Sequence, residues 1–454
     1  MKVLLVSLNR IRFPYPVHPI GLDFVVGALR PAHEVRILDL CPLAAEEVEP
    51  AIVAAVREHA PEVVGLSLRN VDSLDTAGAN SFVAPARRVV DVVRGCTGAP
   101  IVLGGAGYTI FPVELLERLG ADWGVVGEGE RIRLLVDALA AGADPAGLPG
   151  VLRRGAPAPA PSRLAPGTAS VRADPRGNPA LGFYLARGGM LGLQTQRGCR
   201  LQCVYCTYPA IEGRALRPFE AAALAAEARM LEEAGARFLV LTDSVFNGSP
   251  EHALSVAAAF RAGGVRLPWG GFFTPTPPPP GFYETMRAAG CTHAEFGTES
   301  LSDAVLPRMR KPFRRADALR AHAAARAAGI HVAHFMAMGG PGETAATVEE
   351  TLDGCEALDG APVFFFCGMR VYPGTELARL ALADGQLRPG QDLLAPVFYE
   401  PPGLPVAAIA EAIAKRSGGR RAWIHGAGSE QADTIVERLH ARGRVGPLWE
   451  MLAA

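Results

Sequence analysis

Cys199, Cys203 and Cys206 lie within the run RGCRLQCVYCTYP of this 454-residue chain, in a C-x3-C-x2-C spacing. In a chain without a disulfide framework, clustered cysteines hold metal more often than they pair. Structural zinc takes four protein ligands at other spacings, whereas a thiolate-held iron–sulfur cube has four irons. Three thiolates leave one of those irons open to a substrate or a cofactor. The spacing therefore points to a 4Fe-4S cluster with one free coordination position. A zinc site without a nearby fourth ligand, or a chance cluster, is the alternative. Cys41, Cys96, Cys291, Cys355 and Cys367 stand alone and read as inert buried thiols.

The elements that must position these cysteines alternate along the chain. Short apolar runs at 2–8, 34–38, 62–68, 100–104 and 122–126 have the pattern of strands buried on both faces, with helices expected at 19–30, 44–58, 81–95, 113–119 and 129–142. That order predicts an α/β fold, a doubly wound parallel sheet whose ligands bind at the carboxyl ends of its strands. Residues 143–187 are rich in Ala, Pro and Gly and read as a linker. Strands at 190–196, 237–242, 267–273, 292–297, 330–338 and 362–370, with helices near 219–235, 250–263, 281–289, 302–328 and 344–357, predict a partial (β/α)6 barrel over 188–375. The cysteine run leaves the first of these strands, at the barrel mouth, where barrel chemistry is normally found. Trp269 and Phe272 read as core, the basic stretch 310–329 as a solvated helix face, and 376–454 as a small capping segment.

CRLQCVYC resembles the cluster motif of the radical S-adenosylmethionine (SAM) superfamily, and the resemblance extends over about residues 190–375. It implies that the open iron chelates SAM and that one electron cleaves the sulfonium to a 5'-deoxyadenosyl radical. Tyr205 matches the family's aromatic before the last cysteine, which implies a place beside the adenine and the chemistry; burying the loop is the other reading. Asp243 and Ser244 in LTDSVFN stand where the family binds the SAM amino group, although the usual Gly-Gly-Glu-like residues are absent. Glu299 and Ser300 in AEFGTES resemble the pair that holds SAM ribose and amino acid; a helix N-cap is the other reading of Ser300. Gly339 and Gly340 in MAMGGPGET resemble the Gly-rich adenine motif, with Thr344 as a helix cap, and a plain turn explains them equally. Arg370, Val371 and Tyr372 in MRVYPGTEL would line adenine or substrate.

VHPIGLDFVVGALR, VVGLSLRN and the stretch 101–130 resemble the cobalamin-binding domain that precedes the barrel in B12-dependent radical SAM enzymes, over residues 1–142. Gly104, Gly105, Gly107, Gly127 and Gly129 would let a corrin approach the strand ends without Cβ clashes, with Glu128 beside them. Glu128 and Glu130 also fit a helix-start turn. The Asp-x-His-x-x-Gly signature is missing, and His18 is a remote substitute. Arg69 and Asn70 end the third strand instead. An arginine facing cobalt without ligating it would favour cob(I)alamin as a nucleophile; pairing of Arg69 with Asp72 or Asp75 is the alternative.

Forty-five basic and 46 acidic side chains give a net charge of -1, without the footprint of a nucleic-acid binder. No run approaches the roughly 18 apolar residues of a membrane span, and the first residues are too short an apolar run for a secretory leader, so a cytoplasmic protein is expected. The resemblance implies an enzyme that methylates a carbon of a small molecule or peptide through methylcobalamin and a 5'-deoxyadenosyl radical. Its cofactors would be the 4Fe-4S cluster, SAM and cobalamin, with flavodoxin or ferredoxin as electron donor. Ring formation or rearrangement without methyl transfer, and a non-catalytic cobalamin or metal carrier, are the alternatives.

Overall fold

A computed structural model describes residues 1–452 apart from 13–14, 74–75, 77–79, 166–167, 169 and 427–429. The first domain runs β1 (Lys2–Ser7), α1 (Ile20–Leu29), β2 (Glu34–Asp39), α2 (Val48–His59), β3 (Val63–Ser67), α3 (Val83–Cys96), β4 (Ile101–Gly104), α4 (Ala106–Ile110), α5 (Pro112–Leu119), β5 (Trp123–Val125), α6 (Ile132–Ala140) and β6 (Val151–Arg153). The sheet order is β2-β1-β3-β4-β5-β6, with β1 to β5 parallel and β6 antiparallel on the edge. Val3, Leu4, Leu5 and Val6 are 0–1 % exposed, as helices on both faces require. Strand order reverses between β1 and β3, so a crevice opens beyond their carboxyl ends, at Leu8–Arg12 and Arg69–Ser73.

The chain then passes through α7 (Leu181–Leu185) to β7 (Met190–Leu193), β8 (Gln196–Arg197), α8 (Tyr208–Ile211), β9 (Arg217–Pro218), α9 (Ala221–Glu233), β10 (Phe238–Leu241), α10 (Pro250–Ala262), β11 (Trp269–Phe273), α11 (Phe282–Ala288), β12 (Cys291–Glu299), α12 (Arg315–Ala327), β13 (His331–Met338), α13 (Ala345–Cys355) and β14 (Val363–Cys367). It ends in β15 (Met369–Arg370), α14 (Glu376–Ala383), β16 (Phe398–Tyr399), α15 (Val406–Ser417), β17 (Trp423–His425) and α16 (Glu430–Ala441). Seven parallel strands form an arc in the order β17-β14-β13-β12-β11-β10-β7. Its convex face is buried beneath α9 to α12, where Leu224, Val256, Met286 and Ala325 pack against Leu241, Phe273 and Phe296.

Four local expectations change. The linker contributes β6, because Val151 and Leu152 complete the edge of the first sheet. β17 adds a seventh strand to the arc. Residues 302–310 make turns rather than the start of a helix, with Arg310 at φ 57°, and α12 begins only at Arg315. Phe272 is 44 % exposed because it points away from the convex core that buries Trp269. Of the lone cysteines Cys41, Cys291 and Cys355 are buried, Cys367 is partly buried and Cys96 is exposed.

The strap between domains is tied down by one residue. Arg172 donates to Asp23 in α1 (Nε–Oδ2 2.9 Å), to the carbonyl of Gly192 in β7 (2.6 Å) and to Glu227 in α9 (3.0 Å). Burial pushes Asp23 up to about 7 even against that guanidinium. Beside it, a Cβ on Gly27 would lie 1.9 Å from the Val171 carbonyl oxygen. Alanine is the better helix former by about 1 kcal/mol, but overpacking costs about 1–3 kcal/mol. Gly27→Ala is therefore expected to destabilise the protein in urea denaturation and to speed proteolysis of the strap; a more stable variant would show that the strap does not pack there.

Candidate active site

The cysteine loop is held at its base by a short antiparallel pair, β8 with β9. Gly198, at φ 90°, turns the chain where a Cβ would lie 2.1 Å from the Ala215 carbonyl oxygen. The amide of Cys199 donates to Gly213 (3.0 Å), and Val204 is threaded between Met309 (3.3 Å) and Leu377 (2.8 Å) by backbone bonds. Burial, and then the neighbouring Cys203 and Cys199 thiols, push Cys206 up to about 12. Such thiols ionise against a local cation and not alone. Among the described residues no three His, Cys, Asp or Glu side chains converge on a single metal ion. Cys199, Cys203 and Cys206 stand on one loop within electrostatic reach of one another, a donor set that suits separate irons of a cluster.

Four charged side chains fasten this loop to the first domain. Arg197, two residues before Cys199, reaches Glu130 Oε1 at 2.7 Å and Glu128 Oε2 at 3.3 Å. Arg217 Nη2, on the partner strand of the loop base, lies 2.5 Å from Glu128 Oε1, a contact made by charge rather than hydrogen-bond direction. Their side chains are 5–12 % exposed. Glu128 also accepts from the Leu164 amide (2.6 Å), and against its burial Arg197 holds Glu130 below the usual carboxylate range. The turn at 129–131 does start a helix, but these carboxylates serve the loop of the second domain. Arg370 makes a second tie across the boundary, to Asp72 at 2.9 Å, and stacks on Tyr372 at 4.8 Å. Val371 beside it is fully buried.

Tyr205 donates to Glu299 Oε1 at 2.6 Å, and Lys311 reaches the same oxygen at 3.1 Å and the Tyr205 hydroxyl at 3.0 Å. Against its burial, the Glu299 carboxylate holds Lys311 above its usual range. Glu299 takes φ 64°, an unusual backbone for a non-glycine residue at a strand bulge. Lys311 was hidden in the sequence by the basic run around it.

Other residues have intramolecular partners. Asp243 accepts from the Thr195 amide (2.6 Å), the Thr195 hydroxyl (2.5 Å) and the Gln196 amide (3.2 Å), and burial still pushes it up to about 7. Ser244 donates to the Gly198 carbonyl (3.2 Å), at the entry to the cysteine loop. Ser300 bonds Thr351 (3.0 Å) and accepts from the Ser302 amide (3.1 Å), with no helix starting there. The amides of Gly339 and Gly340 donate to Glu343 (2.7 and 3.3 Å), while Thr344 caps α13. Buried atoms without a protein partner remain at the mouth: Thr242 Oγ1, Thr274 Oγ1 and Glu343 Oε1. A polar ligand such as SAM fits there, because such atoms are costly to leave unpaired.

In the first domain, Cβ atoms at Gly105 and Gly107 would meet Leu68 and Arg69 backbone at 2.5 and 3.0 Å, at Gly127 Ser162 at 2.2 Å, and at Gly129 Val25 at 2.8 Å. Those glycines let the chain pack on itself, and Gly104 alone of the five faces open space. Arg69 donates to Asn70 (2.8 Å) and stands near Tyr184, Cys41 and Tyr208; burial lowers its pKa. Asp72 belongs to Arg370, Asp75 lies outside the described residues, and among the described residues no carboxylate pairs with Arg69. His18 is wedged between Tyr184 and Asp23 (3.7 Å), and burial lowers it to about 3. An open glycine and a cation at the crevice fit a corrin bound there. Between the domains, a cleft of about 290 Å³ is lined by Thr109 and Ile110 of α4 and by Cys203 and Cys206.

Residues 193–355 match the Radical SAM superfamily and residues 6–136 the B12 binding domain. Tryptophan 2-C-methyltransferase of Streptomyces laurentii is 27% identical over 83% of this chain and 74% of its own length. An uncharacterised methyltransferase of Pyrococcus horikoshii is 25% identical over 81% and 79%. The radical S-adenosylmethionine methyltransferase TsrM of Kitasatospora setae, solved with tryptophan and a SAM analog and also with cobalamin and a 4Fe-4S cluster, has a TM-score of 0.85 at 24% identity over 99% and 97% of the two chains. The cobalamin-dependent enzyme OxsB has a TM-score of 0.72 at 17% identity over 91% of this chain and 66% of its own. These likenesses establish the shared fold.

Removing one partner of a buried ion pair costs about 3–5 kcal/mol, because the other charge is left unpaired. Glu128→Ala is expected to lower stability by about that amount in denaturant unfolding and to reduce iron retained after anaerobic reconstitution. Unchanged stability and iron content would show that the clamp does not hold the loop.

Proposed function

The chain joins a B12-binding domain to a radical SAM domain, and from that premise we propose that it is a cobalamin-dependent radical SAM enzyme that methylates a carbon of a small molecule. The observation that carries this reading is the docking of the three-cysteine loop, through Arg197 and Arg217, onto the carboxyl ends of the first sheet. The C-methyltransferase among its relatives supports it. When bound, the 4Fe-4S cluster, SAM and cobalamin supply the methyl group and the radical chemistry. A 5'-deoxyadenosyl radical as the hydrogen-abstracting species is the finer part of the proposal, with flavodoxin or ferredoxin delivering the electron near exposed Gln202.

The chain's own residues bind, orient and exclude water. Cys199, Cys203 and Cys206 hold the cluster. Tyr205, Glu299 and Lys311 pin the loop segment between Cys203 and Cys206 and close it against water. Thr242, Thr274 and Glu343 offer SAM the unpaired buried oxygens of the mouth. Arg69 places a fixed charge at the crevice of the first sheet and, having no lone pair to give, would offer a bound corrin charge but no metal ligand.

Alanine at any one of the three cysteines is expected to abolish the iron–sulfur absorption after anaerobic reconstitution, with loss of iron and sulfide in direct assay; tight zinc in its place would overturn the reading. With methyl-labelled SAM, label is expected in the product together with deoxyadenosine, and unlabelled product would indicate ring formation or rearrangement instead. Arg69→Ala is expected to shift the cob(II)/cob(I) midpoint to more negative potential in spectroelectrochemical titration, since a cation near cobalt favours the more reduced metal. An unchanged midpoint would remove Arg69 from the cobalt environment.

A further inference from the structure

Of the described non-glycine residues four take positive φ, and two of these stand together beside the cysteine loop. Glu299, at φ 64°, ends β12 at a register shift, and Arg310, at φ 57°, ends the turns that follow it. Such backbone costs about 1–3 kcal/mol at each residue and persists only where the surroundings impose it. What the two residues share is Lys311. Arg310 turns outward to Glu376 (2.8 Å), and the reversal, closed by the Lys311 amide on the Leu306 carbonyl (2.9 Å), sends the next side chain inward. Glu299 receives it.

The inward lysine is fully committed. An ammonium has three N–H donors, and these meet Glu299 Oε1 (3.1 Å), the Tyr205 hydroxyl (3.0 Å) and the Gly297 carbonyl (3.4 Å). The charge lies 5.4 Å from the Tyr205 ring centroid, and the Lys311 side chain is 5 % exposed. Because Tyr205 lies between Cys203 and Cys206, this cation is bonded to the loop that carries the thiols, and its charge acts on both of them. Burial, then the Cys203 and Cys199 thiols, oppose ionisation of Cys206, whereas the Tyr208 amide and Lys311 favour it. Arg214 and Arg310 line the cleft beside the same cysteines, but both are exposed. At one distance the Coulomb energy is about four times larger at an effective dielectric constant of about 20 than in water. Lys311 is therefore the cation whose field the loop feels most. A neutral donor would pin the loop at a smaller desolvation cost, so a charge buried here asks for a second role.

We propose that Lys311 sets the reduction potential of the iron–sulfur cluster, its ammonium stabilising the negative charge that arrives when one electron passes from an external low-potential carrier. No bond is made or broken in that step, and the carrier loses the electron that the cluster gains. Net charge and the groups around the sulfurs govern cluster potentials, so a fixed cation raises the midpoint and the Glu299 carboxylate beside it holds that rise in check. This rests on Cys199, Cys203 and Cys206 holding a cluster, and it goes further by naming the side chain that tunes it.

The test is a redox titration of the anaerobically reconstituted protein without SAM, read from the iron–sulfur absorption and from the electron paramagnetic resonance of the reduced cluster. In Lys311→Met, which keeps the length and removes the charge, the ratio of reduced to oxidised cluster at a fixed potential is expected to fall about tenfold, ~59 mV for a one-electron couple. Lys311→Arg keeps the charge and is expected to stay within about twofold of the unaltered protein. Glu299→Gln, which frees the cation from its counter-charge, is expected to move the ratio the opposite way. A purely structural role would move the lysine and glutamate variants in one direction or change only the iron retained. Unmoved midpoints at equal iron content, shifts of one sign in Lys311→Met and Glu299→Gln, or a loss as large in Lys311→Arg as in Lys311→Met would each overturn the proposal. If Lys311→Met retains no iron, Glu299→Gln decides, and a midpoint that fails to rise there overturns it. Intact cluster absorption with an unmoved midpoint sinks this role for Lys311 alone, whereas an unaltered protein that assembles no cluster sinks the reading beneath it and this role with it.

Discussion

Two carboxylates of the first domain and two guanidinium groups of the second meet in a nearly water-free boundary, and the placement of the cysteine loop depends on that meeting. Arg197 and Arg217 occupy the two strands at the base of the loop, so whatever fixes them fixes where Cys199, Cys203 and Cys206 begin. Glu128 and Glu130 fix them from the turn after β5, at the carboxyl end of the first sheet. Buried ion pairs add little net stability over well-packed apolar residues. Here the four charges specify one relative placement of two sheets, since any slip strands a charge in a dry site.

The same logic recurs along the boundary. Arg172 ties strap, α1, β7 and α9 through one guanidinium, and Arg370 reaches back to Asp72. Arginine suits these positions because its planar fork satisfies several acceptors at once and keeps its charge when buried. Apolar packing builds each sheet and also crosses the seam, at Phe24 with Phe219 and at Phe111 with Tyr372, while these arginines align one sheet with the other. Tyr205, Glu299 and Lys311 extend the alignment to the far side of the cysteine loop.

Much of this was legible in the residues. The alternation of buried strands and amphipathic helices carries the two parallel α/β sheets, and the spacing of Cys199, Cys203 and Cys206 marks the loop between them, because both signals are local. The interactions that no local pattern carries are long-range. The basic run around Lys311 hid the one lysine that turns inward to Glu299. Gly105, Gly107, Gly127 and Gly129 were read as room for a ligand, yet each accommodates the chain's own neighbours, and only the fold brings Leu68, Ser162 and Val25 there. Phe272 was read as core because hydrophobicity alone does not say which face of a strand has helices over it. The two glutamates after β5 could not be matched to arginines nearly 70 and 90 positions away without the domains docked.

Because Arg197 belongs at once to the cysteine loop and to the seam between the sheets, neither can be loosened without the other. The molecule has two domains, and this shared residue makes one cooperative melting transition the expected behaviour. Iron release and domain separation would then be one thermodynamic event seen by two probes.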